Sequence, residues 1–117
     1  MPEAADIGFT ARCLLRAARQ ASLATVVDGA PFVSLVTPAA SCGGDLLMLI
    51  SGLSQHARHL RLDGRCALLL CGAERHANPQ TTPRVTVTGT AEPVQDPSTA
   101  RSLAADPPLR RALCRLR

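Results

Sequence analysis

Five residues able to do chemistry fall within eight positions: Ser51, Ser54, Gln55, His56 and Arg58. They follow an apolar run, Leu46 to Ile50, and open a polar segment that extends to Leu62. Hydroxyl, amide, imidazole and guanidinium groups share one capacity, which is to donate hydrogen bonds to an anion. In a helical segment the first N–H groups point the same way, and the helix dipole adds to their pull. The pattern therefore reads as an anion cradle, with phosphate the first candidate. A plainer alternative stands beside it: Ser54 caps a surface helix, and the arginines are simply solvated.

Other polar positions offer less. Ser34 interrupts an apolar strand, and Arg84 opens a later strand after Pro83. Each can reach a ligand or face water. His56 and His59 stand three apart on one helical face, yet no HExxH pattern, carboxylate or cysteine completes a metal set, so no metal site is expected. The absence of lysine removes Schiff-base chemistry and a P-loop. There is no nucleophile elbow, triad spacing or carboxylate pair. Either a bound cofactor carries the chemistry, or the protein is not an enzyme.

The elements that position these groups are short. Residues 8 to 20 predict an amphipathic helix, with Leu14, Leu15 and Ala18 inward and Arg12, Arg16 and Arg19 outward. Strands follow at 22–27 and 31–38, joined by Asp28-Gly29, with Pro38 ending the second or making it irregular. A turn at 41–45 leads to the central unit: a strand over 46–50, a helix over 54–62, a tight Asp63-Gly64 turn and a strand over 66–70. Both strands of that unit read as buried on two faces. Residues 84–92 alternate Val85 and Val87 against Thr86 and Thr88, as a half-buried strand does, and Gly89 suggests a bulge or a close backbone approach. A helix is expected from Asp96 to about Ala105, and the final LRRALCRLR reads as one or two further helical turns.

At 117 residues and 46% hydrophobic content, the chain fits one domain with a real core. No apolar run approaches the roughly 20 residues that span a bilayer, and the N-terminus lacks a signal peptide's order of regions. A soluble, cytoplasmic protein without membrane partners is expected. The net charge of +4 comes from Arg110, Arg111, Arg115 and Arg117; up to Leu109 nine arginines balance nine acids. With Phe9 and Phe32 as the only aromatic rings of the Phe/Tyr/Trp type, a nucleic-acid surface is not expected. Five cysteines form no CxxC pair, and Cys13, Cys66 and Cys71 read as small core residues.

The order PFVSLV, a Gly turn, LLMLISGLSQHARHLRLDGRCALLL and PRVTVTGTAE resembles the FMN-binding split barrel of the pyridoxamine 5′-phosphate oxidase superfamily. It is most similar to the branch with haem-utilisation proteins, which shares the L-x-x-H-x-R-x-L helix and the D-x-R turn. The resemblance covers about residues 9 to 106. It implies a mainly β fold with flanking helices: a split β-barrel of five to six strands, with residues 1–117 as one domain and a shortened C-terminus. It also implies a homodimer with FMN in interface clefts. Ser34 and Val36 would lie along the flavin or ribityl chain, Ser51, Gln55, His56 and Arg58 around the phosphate, and Arg84 as a polar flavin contact.

The chain departs from the oxidase proper, which has Arg and Lys at Ser34 and Ala39, and Arg-Lys at Gln55-His56. The nearer branch has Thr and Asn at Ala57 and His59. The leading expectation is an FMN-dependent oxidoreductase acting on a small molecule. The alternatives are a non-enzymatic flavin or haem carrier, with His56, His59 and His76 as candidate haem ligands, and a cofactor-free interaction module.

Overall fold

A computed structural model describes residues 4–40, 45–74, 77–94 and 111–116. The first helix, α1 (Ala4–Ala17), starts a turn earlier than the apolar stripe required, with Asp6 in its first turn and Arg16 in its last, both favourable to its dipole. Leu15 and Ala18 pack on the core, while Arg12, Arg16 and Arg19 are exposed. Strand β1 (Ala21–Val27) then pairs antiparallel with β2 (Ala30–Ala40). The two residues between them, Asp28 and Gly29, both have positive φ, 50° and 75°, as a right-twisted two-residue hairpin needs. Strand β2 continues through Pro38, which pairs with Met48 and is buried.

The central unit is β3 (Leu46–Ser51), α2 (Gln55–Leu62) and β4 (Arg65–Cys71). Strand β3 is buried on both faces, through Leu46, Met48 and Ile50 on one side and Leu47 on the other. Strand β4 is not. Leu68 and Leu70 are fully buried, but Leu69 is 40% exposed, because an antiparallel strand with nothing stacked outside it shows alternate side chains to solvent. The same geometry corrects the reading of the cysteines: Cys13 and Cys71 are exposed and Cys66 is half-buried.

After a short 3-10 turn (Pro79–Thr81), β5 (Arg84–Pro93) pairs with β4. Val85 and Val87 pack on the core and the threonines between face out, as the alternation requires. The register runs unbroken through Gly89, opposite Cys66, so no bulge forms there. The close approach falls instead at Gly64, whose carbonyl accepts from Ala91 N at 2.7 Å.

The chain's end is the main difference from expectation. Residues Arg111–Leu116 form a strand, β6, not helical turns. It pairs along its whole length with β3 and at its end with β5. Two unpaired strand edges there offer six residues more backbone partners than an isolated helical turn can. The helix expected after Asp96 lies outside the described residues. The result is a closed six-strand barrel in the order β1-β2-β3-β6-β5-β4. Leu23, Met48, Leu68 and Leu70 fill its centre with no exposed surface, each contributing roughly 1.5–3 kcal/mol of burial. No helix among the described residues is long and apolar enough to cross a membrane.

Candidate functional site

The site begins where β3 ends. The chain reverses at Ser51, whose carbonyl accepts from Ser54 N at 3.0 Å and from Ser54 Oγ at 2.6 Å. Ser51 Oγ in turn accepts from Leu53 N at 3.3 Å. Ser54 is the N-cap of α2: its backbone is extended, and its Oγ accepts from Ala57 N at 3.2 Å. Arg58 N already bonds back to the Ser54 carbonyl. The N–H groups of Gln55 and His56 are therefore the first-turn donors left outside the helix ladder.

Helix α2 is short, and side chains rather than propensity fix its pose. Ala57, His59 and Leu60 are buried against the sheet. His59, 6% exposed, bonds through Nδ1 to Thr25 Oγ1 on β1 at 2.9 Å. The Phe32 ring meets it edge-on at 4.9 Å. His56 bonds through Nδ1 to Ser34 Oγ on β2, also at 2.9 Å. Two imidazole–hydroxyl bonds thus fasten α2 across the β1–β2 hairpin. Burial, and secondarily the neighbouring His59, lower the His56 pKa below the usual histidine value, which keeps the ring neutral at neutral pH.

The fold brings Ser34, Ser51, Gln55 and His56 to this corner, with Arg58 exposed on the same helix. Arg61, absent from the sequence-derived set, belongs with them. Its guanidinium reaches back to the Gly52 carbonyl at 3.4 Å, adding a second cation beside the turn. Its signal was the i, i+3 spacing from Arg58. Val36 is 4% exposed and lies in the core, so any ligand contact from it would come from its backbone. Arg84 sits elsewhere. It pairs with Cys71 at the far end of β4, and it lines a cavity of about 260 Å³ with Ile7, Thr10 and Leu14 of α1. The opposite corner of α2 is closed by Asp63, whose carboxylate accepts from Arg65 at 2.7 Å. That bond, in the main, holds the Asp63 pKa down at about 2.

Two first-turn N–H groups, hydroxyls, an imidazole and two guanidiniums at one helix start have the chemistry to hold a phosphate monoester. The sequence profile of the pyridoxamine 5′-phosphate oxidase family matches residues 10–113. The chain belongs to that family.

Solved structures with the same fold include a protein of unknown function from Agrobacterium tumefaciens, at 26% identity and a TM-score of 0.79, covering 100% of this chain and 55% of that one. A heme binding protein from Mycobacterium smegmatis aligns at 24% identity and a TM-score of 0.76, covering 100% of this chain and 52% of the other. The chain thus spans about half the length of these two relatives. A FAD-binding protein from Mesorhizobium loti aligns at 18% identity and a TM-score of 0.69, covering 98% and 88% of the two chains. No curated protein matches the sequence.

Proposed function

We propose that this chain binds FMN, with the cofactor's phosphate at the start of α2, and that it works as a homodimeric flavin-dependent oxidoreductase on a small molecule. The observation that carries the reading is the placement of Ser51, Gln55, His56 and Arg58 at the start of α2, where Ser54 caps the helix and two first-turn N–H groups stay outside its ladder. Bound flavin would supply the hydride or electron chemistry that no side chain here offers. The chain's own residues would do the rest. Arg58 would neutralise the phosphate, the Gln55 and His56 N–H groups would orient it, and Ser34 would meet the ribityl side through the hydroxyl that now holds His56.

A homodimer is supported by the outer face of β2, β1 and β4, where Val33 and Leu35 are 66% and 67% exposed. Leu35 and Leu69 flank Ser22 on adjacent strands, so they form one patch. In such a dimer Arg84 would serve a cleft shared with the partner copy. Two exposed free thiols, Cys13 and Cys71, fit a reducing compartment such as the cytoplasm.

Haem is the second reading, supported by the half-buried, neutral His56. Its Nδ1 is engaged by Ser34, which leaves Nε2 as the atom for iron. A spectral titration separates the two. Purified chain titrated with FMN should shift the flavin bands at micromolar protein; absence of any shift rejects the FMN reading. A Soret shift on adding haem that is lost in His56→Ala would support the haem reading instead.

A further inference from the structure

Ile7, Thr10, Ala11 and Leu14 recur at helical spacing, so they share one stripe along α1. That stripe does not close on the barrel. Further along the chain Leu15 and Ala18 pack on the core, whereas Ile7 keeps 57% of its surface exposed. Between the stripe and the start of β5 lies the cavity of about 260 Å³, with Pro83, Arg84 and Val85 on its other side. We propose that this cavity binds a small apolar carboxylate, its ring or short chain lying against α1 and its carboxylate paired with Arg84. The site is distinct from the α2 corner, so the proposal goes beyond the flavin reading and does not depend on it.

Size, polarity and charge define the occupant. An apolar cavity of roughly 150 Å³ is enough to take benzene. The larger volume here leaves room for one ring with a short substituent, or for a chain of similar bulk. The side chains of Ile7, Ala11, Leu14 and Val85 offer no hydrogen bond, so water in this space forgoes partners that it has in bulk. An apolar body displaces that water favourably. Arg84 is the one charged residue among those lining the cavity, and the described residues give it no ion pair. It is exposed, so its charge serves the edge of the cavity and not its floor. A guanidinium presents two parallel N–H groups, which match the two oxygens of a carboxylate. A phosphate dianion calls for more charge than this, and the lining adds one hydroxyl, Thr10, and no second cation.

The space belongs to the way the helix seats on the sheet. A Cβ added at Gly72 would stand 2.9 Å from Leu14 Cδ2 and 3.5 Å from Pro83 Cβ, so α1 rests close on the backbone that follows β4. Gly72 N–H donates to the Pro83 carbonyl at 2.7 Å, which ties that same backbone to the start of β5. Val85 packs on the core and lines the cavity as well. These contacts set the separation between α1 and residues 83–85.

Benzoate is the probe, with benzyl alcohol as a neutral counterpart of similar shape and inorganic phosphate as an anion with no apolar body. Each is titrated at constant ionic strength into wild type, Arg84→Gln and Ala11→Leu, and NMR follows the Leu14 and Val85 methyl resonances. FMN is titrated into the same samples. In wild type benzoate should move the methyls of both residues and bind about tenfold more tightly than benzyl alcohol, the ratio that one charge-assisted contact supplies. Arg84→Gln should bring benzoate down to the affinity of benzyl alcohol and leave benzyl alcohol as it was. Ala11→Leu, whose added carbons occupy the cavity, should bind neither.

Benzoate that leaves the Leu14 and Val85 methyls unmoved overturns the proposal. So does benzyl alcohol binding as tightly as benzoate, phosphate competing with benzoate on equal terms, or full benzoate affinity in Ala11→Leu. Where Ala11→Leu does not fold, the charge preference in wild type and its loss in Arg84→Gln decide. Benzoate binding as described, with no FMN binding in any sample, rejects the cofactor reading and supports the cavity site. FMN binding without benzoate binding does the reverse.

Discussion

Arg58 and Thr25 define the two kinds of residue around α2. Arg58 is exposed, and the described residues give it no ion pair, so its removal should cost the fold little. Arg58→Ala is predicted to weaken FMN binding by about tenfold, the loss of one charge-assisted contact worth roughly 1.5 kcal/mol, with unchanged melting temperature. A spectral titration beside a thermal melt checks it. Thr25 is the reverse case. It is 1% exposed, and its hydroxyl is the partner of buried His59. Thr25→Val keeps the shape and strips the partner, leaving a buried imidazole nitrogen unsatisfied at about 1–3 kcal/mol, measurable by urea denaturation.

That Ser51, Ser54, Gln55, His56 and Arg58 share one helix start was legible in sequence, because an apolar run gives way to them within eight positions. The His59–Thr25 bond was not legible. Its partners lie 34 positions apart, and only the barrel brings them together.

At the scale of elements, the two ends of α2 differ in what holds them. The N-terminus depends on Ser54, which both caps the helix and closes the turn on Ser51. The C-terminus depends on backbone contact: a Cβ added at Gly64 would stand 2.7 Å from the Ala91 carbonyl and 3.1 Å from Thr90. Gly64→Ala should therefore push β5 off the α2–β4 turn and destabilise the fold by roughly 1–3 kcal/mol, as overpacking does. Ser54→Ala should lose about 1 kcal/mol through the missing cap. Chemical denaturation of the pair gives both values.

Sequence patterns found the strands β1 to β5 because β-branched and apolar runs, the alternation over 84–92 and the Asp-Gly turns mark them directly. The final strand escaped them. Arg111–Leu116 is a short run broken by Arg111 and Arg115, and its state is decided by the vacant edges of β3 and β5, which are 66 and 21 positions away in the pairs Met48–Cys114 and Pro93–Cys114.

For the whole molecule, the apolar outer face of β2, β1 and β4 is the feature a lone barrel does not explain. If that face seals a dimer, Leu35→Glu should shift the chain to a monomer in light scattering while leaving the barrel's circular dichroism unchanged, since the residue's side chain points away from the core. A monomeric wild type would remove the dimer and, with it, a shared cleft for Arg84. The barrel class itself was readable from short strands and frequent turns, but which face would stay bare was not, because burial on β4 depends on what stacks outside it.

The placement of β6 between β3 and β5 also orders events in time. A ribosome releases β3 and β5 well before it releases Arg111–Leu116, so both edges wait for a partner that is still being synthesised. Closure then joins positions as distant as Leu46 and Leu116, among the most non-local contacts in the chain and hence slow to form. During that wait, two open edges beside an uncharged β3 make the nascent chain a client for chaperones and a template for mispairing with its own copies.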